Sequence, residues 1–162
     1  MNLTMEGIER SVEGPTKGRS LARAGSSGGP VVIVDDDPYD ALLAESVLDE
    51  LQPRFPAQIL SRGEDLVAYL QGEGLYADRA QFPFPSMVLL DLNMPGMNGF
   101  AVLDWLKQHP EFGDVPVVVL SGMVDMVGQV TRAYGQGADA FLPKPVQLAD
   151  LQSALAELKI SL

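Results

Sequence analysis

Four short apolar runs in this 162-residue chain stop on residues able to do chemistry. Val31-Val32-Ile33-Val34 runs into Asp35, Asp36 and Asp37, and Met87-Val88-Leu89-Leu90 into Asp91. Val115 to Leu120 runs into Ser121, and Ala140-Phe141-Leu142 leads to Pro143 and Lys144. Brought together, the carboxylates repel one another. Two like charges about 5 Å apart at an effective dielectric of 20 cost roughly 3 kcal/mol, so such a cluster calls for a cation or a proton. An oxygen-only donor set without His or Cys favours a hard ion, Mg²⁺ or Mn²⁺, which keeps several waters and leaves room for a phosphoryl oxygen. Lys144 adds a mobile cation and Ser121 a hydroxyl donor. A divalent ion, a lysine and a hydroxyl around an anionic group suit phosphoryl transfer to a carboxylate, with Asp91 placed as the nucleophile.

Those residues can meet only if the apolar runs are neighbouring parallel strands. Val31–Val34 is β-branched and apolar on both faces, as a buried parallel strand is. Asp37-Pro38 reads as N-cap and first helical residue, opening a helix with Leu43, Val47, Leu48 and Leu51 on one face and Pro53 as its stop. Ala57 to Leu60 is the second strand, followed by a helix over 64–71 with Leu66, Val67 and Leu70 inward. Residues 72–86 form a long connection rich in Gly, Pro and aromatics. After the third strand, Asn98 caps a helix to about Gln108 with Phe100, Leu103 and Leu106 inward, and His109-Pro110 ends it. A weaker helix covers about 124–134. The last runs from Leu148 to about Lys159 with Leu148, Leu151, Leu155 and Leu158 as its stripe. Five strands alternating with five helices predict an α/β fold, a five-stranded parallel sheet with helices on both faces. In such sheets ligands bind beyond the carboxyl ends of the strands, the edge where Asp35, Asp36, Asp91, Ser121 and Lys144 fall.

Composition narrows the function classes. Eleven Lys and Arg against 22 Asp and Glu give a formal net charge of −11, which speaks against a nucleic-acid partner. With 46% hydrophobic residues there is enough for a core, and no cysteine for disulfides, thiolate metal sites or a Cys nucleophile. Apolar runs fall well short of the roughly 20 residues a membrane helix needs, so no membrane association is expected. Met1 to Arg10 lacks the basic start and apolar stretch of a secretory signal, and a cytoplasmic protein is expected. Residues 1–29 differ from the rest: six glycines, three acids and four bases, and few large apolar side chains. They read as a flexible tail ahead of one domain over 30–162.

The segments VVIVDDDP (31–38), MVLLDLNMPGMNGF (87–100), VVVLSG (117–122) and GADAFLPKP (137–145) resemble the receiver domain of two-component response regulators. The resemblance spans about residues 30–162 and implies the CheY-like, flavodoxin-like strand order 2-1-3-4-5. It implies that Asp91 is the phosphoacceptor, Asp36 a direct metal ligand and Asp35 a ligand through water. Asn93 falls where the family offers a backbone carbonyl to the ion. Ser121 and Lys144 match the residues that contact the phosphoryl oxygens, and the Lys144-Pro145 bond is expected to be cis. Ser121 and Phe141 match the hydroxyl and the aromatic that move on activation, with Phe where the family often has Tyr. Gly122 stands where the family often has Ala, which would leave the site open to water and donor. A single-domain response regulator is therefore expected. It would be phosphorylated by a sensor histidine kinase in the presence of Mg²⁺ or Mn²⁺ and would not be a turnover enzyme. The 72–86 connection and the Pro110–Gly113 turn are similar to stand-alone receivers that partner phytochrome-type kinases, so a bacteriophytochrome is the expected partner. The family commonly pairs through its fourth helix, fifth strand and fifth helix, which makes a homodimer an expectation too.

Two other functions compete. In a phosphatase of the haloacid dehalogenase type, Asp35 and Asp37 would be nucleophile and general acid. That family needs a later strand ending in paired acids, and only Asp150 and Glu157 follow Lys144. A receiver-fold scaffold that is never phosphorylated usually lacks an acid or the lysine, and none is missing. Of the remaining residues, Asp37 is read as a cap, His109 as solvent-exposed punctuation, Trp105 as half-buried packing and the leucine stripe as packing on the sheet. Ile160 and Leu162 continue the apolar character past the helix and favour a contact with another chain.

Overall fold

Each apolar run found in the sequence is a strand buried on both faces or nearly so, and the chain between them returns as helix. The structure, a computed structural model, describes residues 28–51, 57–122 and 126–160. The strands are β1 (Val31–Val34), β2 (Ala57–Leu60), β3 (Met87–Asp91), β4 (Val117–Ser121) and β5 (Ala140–Pro143). The helices are α1 (Pro38–Leu51), α2 (Gly63–Gln71), α3 (Gly99–Gln108), α4 (Met126–Gly135) and α5 (Leu148–Leu158). All pairings are parallel and the order is β2-β1-β3-β4-β5, as expected. Alternate residues of one strand serve opposite faces. Val32, Val34, Val88, Leu90, Val117 and Val119 pack with Leu66, Leu70, Phe100, Leu103 and Ala133 of α2, α3 and α4. Val31, Ile33, Met87, Leu89, Val118 and Leu120 pack with Ala41, Ala44, Leu48, Leu151 and Leu155 of α1 and α5. Fully burying one such aliphatic side chain contributes roughly 2 kcal/mol.

Several expectations are corrected in detail. The α1 face against the sheet is Ala41, Ala44 and Leu48, with Leu43, Val47 and Leu51 half-buried beside it. Alanines let the helix lie close to the strands, and Leu42 is left 61% exposed. β4 begins at Val117 rather than Val115, because Pro116 has no N–H to give a ladder. His109 is half-buried and stacks on Trp105 with ring centroids 4.1 Å apart, so it is not solvent-exposed punctuation. Two α2 residues differ from expectation: Tyr69 is fully buried, while Val67 is only half-buried. The caps at Asp37 and Asn98 form as expected. Asp37 Oδ1 accepts from the Tyr39 and Asp40 amides at 2.8 and 3.3 Å, and Asn98 Oδ1 accepts from Ala101 at 3.0 Å.

The connection over 72–86 is tied down along its length. Arg79 donates to the carbonyls of Tyr69 and Leu70 at 2.8 and 2.7 Å, closing the end of α2. Tyr69 Oη donates to the Pro83 carbonyl at 2.8 Å, and the Tyr69, Tyr76 and Phe82 rings lie 5.2 to 6.0 Å apart. Residues 1–27 of the tail, Pro53, the first residues of the 124–134 helix and Leu162 lie outside the described residues. No helix among the described residues is long and apolar enough to cross a membrane.

Candidate functional site

β1 and β3 run side by side with Val34 opposite Leu90, so Asp35 and Asp91 emerge together at the carboxyl edge of the sheet. On the other flank Ser121 is opposite Pro143, which brings Lys144 beside it, and the Lys144 amide donates to the Ser121 carbonyl at 2.7 Å. Asp35 is 2% exposed, Asp91 3% and Ser121 0%, and these three are the buried polar residues among those described. Polar burial is thus confined to the edge that the sequence pointed to.

Lys144 occupies the centre of this edge. Its Nζ lies 2.7 Å from Asp35 Oδ2, 3.1 Å from Asp40 Oδ2 and 3.3 Å from Asp91 Oδ1. Burial pulls its pKa down, but the hydrogen bond to Asp35 and the charges of Asp91 and Asp35 outweigh it, so the ammonium holds its proton more firmly than usual. Asp91 shows the opposite balance. Burial, then the charge of Asp35, push its pKa up from 3.8 to about 6, against the pull of Lys144 and the Asn93 amide. The Lys144-Pro145 peptide is cis, as the resemblance implied.

Asp35, Asp36 and Asp91 each offer a carboxylate oxygen, and the three lie within 4.8 Å of one another, with Asp36 the exposed member. Oxygens bonded about 2.1 Å from one octahedral ion sit about 3 to 4 Å apart, so these carboxylates need close only slightly to hold one. The donor set and its spacing fit a divalent cation of the Mg²⁺ or Mn²⁺ class.

The loop after β3 frames the acceptor carboxylate. The Asn93 amide donates to Asp91 Oδ1 at 3.2 Å, and its side-chain Nδ2 donates to Ser121 Oγ at 3.3 Å. Gly99 lets α3 start directly on this loop, because a Cβ there would fall 2.5 Å from the Asp91 carbonyl and 2.7 Å from Leu92 Cα. A Cβ at Gly122 would meet nothing within 4 Å among the described residues. Phe141 pairs with Val119 across β4 and β5 and packs half-buried against the α2–α3–α4 side of the core.

Two residues of the site were not found from sequence. Asp40 reaches Lys144, yet in the sequence it is one acid in the first turn of a helix, where the dipole alone justifies it. Gln129 of α4 accepts a hydrogen bond from Ser121 Oγ. Its one sequence signal is that Gln129, Arg132 and Gln136 recur every three or four residues on the side of α4 that carries buried Ala133.

The response regulator receiver domain family matches residues 31–156 of this sequence. The chain belongs to that family. This receiver is 33% identical over 121 residues to response regulator Rcp1 of Synechocystis sp., a match covering 75% of this chain and 80% of that one. It is similar to the solved bacteriophytochrome response regulator RtBRR, with 28% identity and a TM-score of 0.72 over 83% of this chain and 80% of the other. It is similar also to the Mn²⁺-bound form of Rcp1, with 30% identity and a TM-score of 0.64 over 81% of this chain and 91% of the other. Receivers are signalling modules whose chemistry is transfer to, and loss from, their own carboxylate. The phosphatase alternative falls with this: Asp37, its general acid, spends its carboxylate capping α1.

Proposed function

We propose that Asp91 accepts the phosphoryl group. The observation that carries this is the buried Asp91 carboxylate with Lys144 at 3.3 Å and with Asp35 and Asp36 close enough to share a cation. An oxygen of Asp91 attacks phosphorus in line as the donor's P–N bond breaks, and the imidazole of the kinase histidine leaves with the bonding pair. Asp36 and Asp91 would ligate a divalent ion directly, with the Asn93 carbonyl as a further ligand and Asp35 acting through a water. The bound ion supplies neutralisation of the phosphoryl oxygens. Lys144 then exchanges a carboxylate partner for a phosphoryl oxygen, Ser121 turns its hydroxyl toward the same group, and Phe141 follows into the space beside β4. The partner surface on α4 and β5 changes shape as a result.

Mg²⁺ and Mn²⁺ are both supported as the ion, Mn²⁺ by the bound form of Rcp1. The kinase is proposed to be a phytochrome-type sensor, supported by the similarity to bacteriophytochrome response regulators. A cytoplasmic setting goes with this, since the donor histidine has to reach Asp91. The domain limits proposed are 30–162 for the receiver, supported by the family match over 31–156, with 1–29 ahead of it. Pairing with a second copy through α4, β5 and α5 is supported by Val127 and Tyr134 on α4, which are 80% and 49% exposed.

Incubation with acetyl phosphate and Mg²⁺ and subsequent intact-mass measurement test the central reading. The expected result is a gain of one phosphoryl group, absent without the metal and absent in Asp91→Asn. A gain that survives in Asp91→Asn would place the acceptor elsewhere.

A further inference from the structure

Ser121 has one hydroxyl proton, and the structure shows where it is committed. Its Oγ is fully buried, donates to Gln129 Oε1, and accepts from Asn93 Nδ2 at 3.3 Å. The carbonyl of Gly122, at 3.3 Å, is its weaker alternative acceptor. A hydroxyl that gives its proton to Gln129 cannot give it to a phosphoryl oxygen on Asp91. The two hydrogen bonds exclude each other.

The helix that carries Gln129 has little else to hold it. Of its described side chains only Ala133 is buried. Val130 is half-buried, and further contacts are polar. Arg132 lies over the Phe100 ring at 4.0 Å, and Gln136 Nε2 donates to Asp104. Gln129, Arg132 and Gln136 thus stitch α4 along one side, to β4 at one end and to α3 in the middle and at the other end. An element with so few buried apolar contacts belongs to the low-stability part of a fold, where loss of one tether shifts its equilibrium.

We propose that Gln129 is a positioning residue: it holds the Ser121 hydroxyl away from Asp91 in the unphosphorylated protein and must release it when Asp91 is phosphorylated. This rests on the reading of Asp91 as acceptor and adds the chain's own link between that event and α4. Phosphorylation and the Gln129 contact compete for one proton, so each weakens the other by the same factor. Gln129→Met keeps the length of the side chain and removes the acceptor.

The test is a double-mutant cycle of Gln129→Met with Ser121→Ala, read in two ways. Intact mass follows phosphoryl gain from acetyl phosphate with Mg²⁺, and hydrogen exchange follows the amides of residues 129–131 in the unphosphorylated protein. Losing one net hydrogen bond is worth about a three- to tenfold change. Gln129→Met is expected to raise both rates by about that factor in the native background and to leave both unchanged in Ser121→Ala, where the tether is already gone. Equal effects in the two backgrounds would show that Gln129 merely packs, and would overturn the proposal. So would native protein that gains the phosphoryl group at a rate Gln129→Met does not alter. Native protein that never takes up the group overturns the Asp91 reading first, and this one with it.

Discussion

Lys144 Nζ sits 2.7 Å from Asp35 Oδ2, with the two side chains 16% and 1% exposed. A carboxylate buried to that degree needs a fixed cation, and in this structure the lysine provides it for Asp35 and Asp91 together. Removing one member of a buried pair leaves the other charge uncompensated, at about 3 kcal/mol or more. Lys144→Met should therefore lower stability at pH 8 by about that amount, measured by urea unfolding with chelator present. Mg²⁺ should restore part of the loss. A variant as stable as the native chain would mean that the two carboxylates share a proton instead.

Asp40 touches the same ammonium at 3.1 Å, but its side chain is 34% exposed. Solvent screens that pair, and exposed or half-exposed pairs are worth less than about 1 kcal/mol. Asp40→Asn is expected to change unfolding stability by less than that, in contrast to Lys144→Met. Equal losses from the two substitutions would show that the site acts as a single network rather than a strong pair with a weak one attached.

Asp91 has its pKa raised from 3.8 to about 6 by burial and then by Asp35. The folded state therefore binds this proton more tightly than the unfolded chain does. The stability that results is complete below about pH 3.8 and is lost as pH rises through about 6. Allowing for screening, the loss is roughly 1–3 kcal/mol at pH 8. Asp91→Asn, which cannot ionise, should be more stable than native by that margin at pH 8 without divalent ions, and the gap should close as pH falls from 6 toward 4. Mg²⁺ affinity of the native chain should weaken over the same interval, because the ion needs the carboxylate. An Asn variant that is the less stable of the two at pH 8 would mean that the fold favours the charged form of Asp91.

Gly99 is the one position in the site loop where space alone dictates the residue. A methyl group there would press on the Asp91 carbonyl at 2.5 Å and on Leu92 Cα at 2.7 Å, both backbone atoms. Overpacking of this kind costs about 1–3 kcal/mol. Gly99→Ala should lose that much stability and slow phosphoryl gain as the β3 end is displaced, while Gly122→Ala should leave stability nearly unchanged. Both can be read from unfolding curves and intact mass.

The architecture was legible because a parallel strand buried on both faces writes itself as a continuous apolar run, and the residue directly after such a run necessarily lies at the carboxyl edge. Asp91 after Leu90 and Ser121 after Leu120 are cases of this rule, and the structure puts both where it says. Faces of helices were harder. The α1 stripe was assigned through Leu43 and Leu51, whereas the closest contacts use Ala41 and Ala44, because close approach to a sheet rewards small side chains over hydrophobic ones. Gln129 and Asp40 lay beyond sequence reasoning for a different cause. Each is a polar side chain on a helix surface whose partner lies on another element, Lys144 being 104 residues from Asp40 and Ser121 eight from Gln129. Stacking of His109 on Trp105 was hidden in another way, since the turn of helix that joins them looks like an exposed helix end.

Arg79 is a tryptic site by sequence and a poor one by structure. A protease must draw the guanidinium into its own pocket, and here that guanidinium is closing α2 through the carbonyls of Tyr69 and Leu70. The peptide bond after Arg79 becomes a substrate only when the connection lifts away and its aromatic contacts part. Cleavage at this point therefore times the opening of the 72–86 segment, at a place in the fold remote from Asp91 and its chemistry.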